Sequence, residues 1–244
     1  MKFYFMILVF LFPIIVGAQL DSLLMDKLMA IANRHPKDLY NLETEAEQGN
    51  AEAQLILAMY YSGDTPPDYE RALYWYRKSA EQDYDYAQFI LAFKYYNGEG
   101  MPADTAQAFY WYKKSAELGN SLAQCDLAKM YDEGHGTLTD KKKSFYWFKK
   151  SAEQGNAIAQ HNLAIMYVRG EGTLTDMKQA FYWYKKSAEQ GNESAQFQLA
   201  LFYVLGEAVP GDMKQAAYWM RKAYDNGHPD AKKWWDELEL WKYE

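Results

Sequence analysis

Chemistry in this chain would have to start from histidine, cysteine or carboxylate, and each of these is spaced for something other than catalysis. The four histidines, His35, His135, His161 and His228, sit in four different local contexts. None falls into the His-x-x-x-His or Cys-x-x-Cys spacing that grips a zinc ion from one helix or one turn. No serine opens a Ser-x-x-Lys and there is no Gly-x-Ser-x-Gly, so the sequence signatures of acyl-enzyme chemistry are missing. Cys125 is the single cysteine and cannot form an internal disulfide; with no His or Asp recurring beside it, it reads as a small apolar residue. The carboxylates do recur. Asp104, Asp140, Asp176 and Asp212 follow turns that carry Glu99, Glu133 and Glu171. Such an array suggests calcium, but each Asp comes just before an apolar helix, where its carboxylate serves as an N-cap. The expectation is therefore no catalytic residue, no metal and no cofactor.

The elements that would position these residues are set by a period. The dipeptide Ala-Gln falls at Ala53, Ala87, Ala123, Ala159 and Ala195, with a weaker version at Ala231, giving intervals of 34, 36, 36, 36 and 36 residues. A fixed interval of this size marks stacked supersecondary units, each packed on its neighbours. In the unit from Ala159 to Asn192, residues Ala159, Leu163, Ala164 and Tyr167 cover one side of a first helix. Gly170 and Gly172 are expected to end it, and Asp176 to cap the next. The second helix carries Ala180, Trp183, Tyr184, Ser187 and Ala188 as an apolar stripe, with Lys185 and Lys186 near its C-terminal end, where the helix dipole favours cations. Gly191 stops it and Asn192 caps the first helix of the following unit.

Small residues at Ala58, Ala92, Ala128, Ala164 and Ala200 allow close helix approach, and Trp75, Trp111, Trp147, Trp183 and Trp219 are expected to fill the core beside them. Tyr74, Tyr110, Tyr146, Tyr182 and Tyr218 fall on the polar side of the second helix. They read as a structural ladder or as an aromatic surface for glycan stacking.

The pattern A-x-x-x-L-A-x-x-Y-x-x-G-x-G-x-x-x-D-x-x-x-A-x-x-W-Y-x-K-S-A-x-x-G-N resembles the Sel-one-like repeat, a relative of the tetratricopeptide repeat. The resemblance covers residues 50–228 as five units, 50–83, 84–119, 120–155, 156–191 and 192–228. It implies an all-α fold, an α/α solenoid (superhelix) of stacked antiparallel helix pairs, serving protein–protein interaction. Residues 19–49 read as degenerate capping helices and 229–244 as a C-terminal capping helix in which Trp234, Trp235, Leu238 and Trp241 cover the last core. The first unit departs at Pro66-Pro67 and at Asp83-Tyr84, the fifth at Ala208-Val209-Pro210 and Tyr224. Cysteine-rich secreted members of the family are linked to β-lactam binding or hydrolysis and carry paired cysteines in each repeat; this chain has one cysteine, which separates it from them.

First helices line the concave groove of tetratricopeptide-like solenoids, so the resemblance places a partner on the first-helix positions that turn away from the core stripe. Phe89, Phe93, Asp126, Lys129, Glu133, His161, Asn162, Ile165, Arg169, Phe197 and Leu201 are the candidate partner-binding residues, in a strip that also contains Leu55, Gln198 and Leu205. They vary from unit to unit while the framework does not. The expected partner is a protein or peptide. An enzyme acting on β-lactams or peptidoglycan is the alternative from another class, and an immunity protein that neutralises a secreted toxin the alternative within the binding class.

A formal charge of −7 disfavours nucleic acid and anionic lipid as partners. At the N-terminus, Lys2 precedes an apolar run from Phe3 to Val16, and Val16-Gly17-Ala18 supplies small residues before Gln19. That is the layout of a cleaved secretory signal over residues 1–18, cut after Ala18. Its 14 apolar residues fall short of the roughly 20 that span a bilayer. The expectation is a periplasmic or secreted protein with no stable membrane insertion.

Overall fold

In the computed structural model the chain is described over residues 36–63 and 66–243. The expected signal segment, and a helix expected over residues 21–33, lie outside the described residues. Twelve α-helices and no strand are found among the described residues, as consecutive packed pairs. They are α1 Pro36–Glu47, α2 Ala51–Gly63, α3 Tyr69–Ala80, α4 Asp85–Asn97, α5 Thr105–Glu117, α6 Ser121–Glu133, α7 Lys141–Glu153, α8 Ala157–Arg169, α9 Met177–Glu189, α10 Glu193–Leu205, α11 Met213–Asp225 and α12 Ala231–Glu237, followed by a 3-10 turn Leu240–Tyr243. Two compact units are present. Unit 1 runs to Leu127 and includes 135–137; unit 2 comprises Ala128–Gly134 and the chain from Leu138 onward. In unit 1 the pairs are α2 with α3 and α4 with α5, while α1 packs on α2 and α3 on α4. In unit 2, α8 pairs with α9 and α10 with α11, α7 packs on α8 and α9 on α10, and α12 and the 3-10 turn cover α11.

Each recurring residue does one job in this arrangement. The leucine of every first helix is fully buried at Leu57, Leu91, Leu127, Leu163 and Leu199, beside equally buried alanines. Asn50, Asn120, Asn156 and Asn192 accept from the amide three residues on, at 3.0, 3.0, 2.9 and 2.8 Å, and so start the first helices. The recurring aspartates are caps of the second helices: Asp68, Asp104, Asp140, Asp176 and Asp212 all accept backbone N–H bonds there. Each capping Asp also donates its own N–H to the carbonyl of the repeat tyrosine, from Tyr61 to Tyr203, which closes the turn.

The glutamine of the Ala-Gln marker is the seam between repeats. Gln54, Gln88, Gln124, Gln160 and Gln196 are buried, and each donates Nε2 to a last-turn carbonyl of the preceding second helix, Ala46, Ala80, Ala116, Ala152 and Ala188, at 2.9 to 3.1 Å. These last-turn carbonyls have no i+4 partner and otherwise accept the N–H three residues on, from Gly49, Asp83, Gly119, Gly155 and Gly191, so the buried Nε2 supplies a further donor. From the other side, Ser79, Ser115 and Ser187 donate Oγ to the first carbonyl of their own repeat's first helix, at 2.6 to 2.7 Å.

Three expectations are corrected. Gly170 does end α8, in the left-handed conformation with its N–H on Met166 O, but Gly172 ends nothing. A Cβ on Gly172 would stand 2.1 Å from the carbonyl oxygen of Lys141, and one on Gly136 the same distance from that of Thr105. The second turn glycine exists to let the turn lie against the helix start of the preceding repeat. Second, only two of the five tryptophans are core residues. Trp111 and Trp219 are buried as expected, but Trp75, Trp147 and Trp183 are only half-buried; the residue buried in every repeat is the next one, Tyr76, Tyr112, Phe148, Tyr184 or Met220. Third, the C-terminal helix is broken at Glu239, whose φ is 49°. Trp234, Trp235 and Leu238 pack on the last core as expected, but Leu240 inserts fully and Trp241 stays exposed.

Candidate interaction surface on the first helices

The residues singled out in the sequence separate into two groups, one in each unit. In unit 1, Phe89 is only 3% exposed and packs against Tyr112, ring centroids 5.8 Å apart. It belongs to the core, because the second helix supplies an aromatic neighbour that single-helix periodicity does not reveal. Phe93 is half-buried. Asp126 is also half-buried and accepts from the Tyr112 hydroxyl; burial first, and this carboxylate second, push the Tyr112 phenol well above its ordinary range.

Unit 2 holds the rest. On α6, Lys129 is half-buried and Glu133 exposed. On α8, His161 is half-buried with its ring 5.7 Å from that of Tyr184. Burial holds its imidazole below the ordinary value; Glu193 pulls it up and His228 pushes it further down. Asn162 turns back and donates to Ile158 O at 2.9 Å, which occupies part of its amide. Ile165 is half-buried and packs on the core of the last repeats, and Arg169 is exposed, 3.9 Å from Glu171. On α10, Phe197 is only 7% exposed, stacked on His228 at 4.2 Å and nearly parallel, with Trp234 edge-on at 6.3 Å. It too serves packing, as part of the C-terminal cover. Leu201 is half-buried, and Leu205 at the end of the same helix is 65% exposed.

Periodicity thus finds the face and misjudges its aromatic members. Phe89 and Phe197 drop to the floor, and what remains open in unit 2 is His161, Ile165, Arg169, Leu201 and Leu205. Tyr184 and His228, which close that floor, went unrecognised as part of it. Tyr184 sits in the stripe assigned to the second-helix core, and the reach of His228 back to Phe197 has no local sequence signal. Among the described residues no three histidine, cysteine, aspartate or glutamate side chains are grouped to hold a metal, and no helix is long and apolar enough to cross a membrane. Cys125 is buried.

Repeated helix pairs, hydrogen-bonded seam to seam, with a variable first-helix face define a helical-repeat solenoid. The chain belongs to the Sel1 repeat family, whose profile matches residues 51–84, 85–120, 121–156, 157–192 and 193–228. It is similar to a protective antigen with an SLR fold from uropathogenic Escherichia coli strains, at 40% identity over 78% of this chain and 41% of that one, with a TM-score of 0.74. It is also similar to a Sel1 repeat protein of Oxalobacter formigenes, at 33% identity over 84% of this chain and 60% of that one, again with a TM-score of 0.74. The chain therefore spans less than two thirds of either relative. No match was found among curated proteins. The chain is a Sel1 repeat protein, a helical-repeat scaffold of five such units.

Proposed function

We propose that the chain is an exported, non-catalytic scaffold that binds a protein or peptide on the first-helix face. One observation carries this reading. On the successive first helices α8 and α10, the framework residues are consumed by seams, caps and core, while Ile165, Arg169, Leu201 and Leu205 remain wholly or partly open and differ from their counterparts in the other repeats. A few apolar anchors beside a charge are the composition from which binding hot spots are made. His161 and Asn162 border this patch on α8, and Lys129 and Glu133 belong to the same unit. Export rests on the sequence of residues 1–18.

The experiment is affinity capture from an envelope extract with mass spectrometry, comparing the parent with Ile165→Glu/Arg169→Glu. A partner retained by the parent and lost from the double variant, with unchanged helical content, supports the face. Equal capture by both removes it. N-terminal sequencing of the mature protein should begin at Gln19, and neither nitrocefin nor purified peptidoglycan should be hydrolysed.

A further inference from the structure

The second helices carry another surface, independent of the first-helix face. In unit 2, Tyr146, Tyr182 and Tyr218 hold equivalent places on α7, α9 and α11, and their side chains are 49%, 47% and 51% exposed. The following tryptophan meets each ring edge-on, at centroid distances of 5.0, 4.9 and 5.0 Å. The lysine four residues on stands over each phenol: Lys150 at 5.4 Å, Lys186 at 5.9 Å and Lys222 at 5.4 Å from the centroid. The cation one position earlier is used differently. Lys149, Lys185 and Arg221 reach Glu153, Glu189 and Asp225 at 3.9, 4.0 and 3.2 Å. Each helix therefore gives one cation to a carboxylate and keeps the other on an aromatic face. Among the described residues no carboxylate forms an ion pair with Lys150, Lys186 or Lys222.

Shielding the tryptophan explains an apolar side chain at the tyrosine position. It does not explain a hydroxyl left to solvent, and the helix dipole, which favours a cation in the last turn, does not require that cation to stand over a ring. A half-exposed phenol face accepts the C–H face of a sugar ring, because its quadrupole is negative over the face, and the ammonium that stands over it in the free chain moves onto a carboxylate of that sugar. The chain as a whole carries −7, so anions gain nothing from its net charge and selection must be local. Identical dyads repeated helix after helix match a ligand that itself repeats; a folded protein is matched by residues that vary.

We propose that this ladder in unit 2 binds an anionic polysaccharide, its sugar rings stacked on Tyr146, Tyr182 and Tyr218 and its carboxylates paired with Lys150, Lys186 and Lys222. The same dyad stands in unit 1 at Tyr74 with Lys78 and at Tyr110 with Lys114, at 5.8 and 5.6 Å.

Polygalacturonate is the probe, titrated into the full chain with tryptophan fluorescence as readout, since Trp147, Trp183 and Trp219 touch the rings. Dextran supplies sugar without charge, polyglutamate charge without a sugar, and oligo-dT charge with a stacking base. The expected result is saturable binding of polygalacturonate, with the other three at least roughly tenfold weaker. The triple variant Tyr146→Leu/Tyr182→Leu/Tyr218→Leu keeps an apolar cover on the tryptophans, and Lys150→Gln/Lys186→Gln/Lys222→Gln removes only charge. Each should lower affinity by roughly tenfold or more with little change in melting temperature. The proposal is overturned by an absence of saturable polygalacturonate binding, by polyglutamate or oligo-dT binding equally well, or by undiminished affinity in the lysine variant. Should the tyrosine variant fail to fold, the lysine variant and the four polymers still decide.

Discussion

The seam at Gln88 in unit 1 and the seam at Gln160 in unit 2 come from the same repeat, and they differ by one donor. Gln160 gives its Nε2 to Ala152 O at 3.1 Å and receives, on Oε1, the Nε2 of Gln190 at 2.7 Å. Gln54 and Gln196 are completed likewise by Gln82 and Asn226, at 2.7 and 2.9 Å. At Gln88 the completing position is Leu118, whose side chain is 52% exposed, and among the described residues no protein group bonds to the buried Oε1. The turn before Gln88 is irregular too. Asp83 stands where other repeats have glycine and holds a φ of 57°, and Tyr84 gives α4 no side-chain cap where Asn156 and Asn192 cap α8 and α10. A repeat thus tolerates loss of the outer half of its seam while the inner half, the bond to the preceding helix end, is kept in all five repeats.

The largest expected effect tests what the two seams share. Gly136→Ala and Gly172→Ala each drive a Cβ into a carbonyl oxygen at 2.1 Å from a left-handed backbone, and each should cost about 3–5 kcal/mol in chemical denaturation. Gly191→Ala, with nothing within 4 Å of the added carbon, should cost only about 1 kcal/mol. Comparable losses at Gly172 and Gly191 would show that close approach is not the reason for the glycine.

Next comes the seam itself. Gln160→Leu removes two hydrogen bonds, leaving Ala152 O with the Gly155 N–H and the Gln190 amide with only Lys186 O at 3.4 Å, and should cost about 2 kcal/mol; Gln88→Leu removes an acceptor that is already unpaired and should cost about 1 kcal/mol less. A converse substitution sharpens the contrast. Leu118→Gln should stabilise by about 1 kcal/mol by supplying the missing donor, and Gln190→Leu should destabilise by a similar amount. A neutral Leu118→Gln would mean that the orphan oxygen carries no penalty.

The smallest effect is set by pH. Burial holds His161 below its ordinary 6.5, so the unfolded chain takes up the proton more readily than the folded one. The stability this implies is present at neutral pH and drains as the pH falls through about 6.5. Thermal melts at successive pH values should show part of that loss disappearing in His161→Gln. An unchanged profile would assign the acid sensitivity elsewhere.

Much of the fold was legible from the period alone. The packed helix pairs, the capping aspartates and asparagines, the buried leucines and alanines and the exposed tyrosines are local consequences of residue type at helical spacing, and all are present. Less of the candidate surface could be read. Ile165, Leu201 and Arg169 keep some or most of their surface, but Phe89 and Phe197 look no different in sequence and are buried because Tyr112 and His228 arrive from other helices. The same limit applies to the tryptophans. A helical stripe names the side that is buried, and the neighbouring helix decides whether Trp183 or Tyr184 lies at its centre.

Leu118 states the division most simply. Its departure from the glutamine of Ala-Glu-Gln-Gly-Asn is visible in the sequence, since it breaks a period that identity alone defines. Its meaning is not, because the lost donor belongs to an acceptor 30 residues earlier. Period, helix ends and caps are determined by interactions within about four residues, which a sequence carries on its face. Seams, close approaches and the burial of one aromatic rather than another depend on atoms brought together across whole repeats, and only the tertiary structure decides which of them meet.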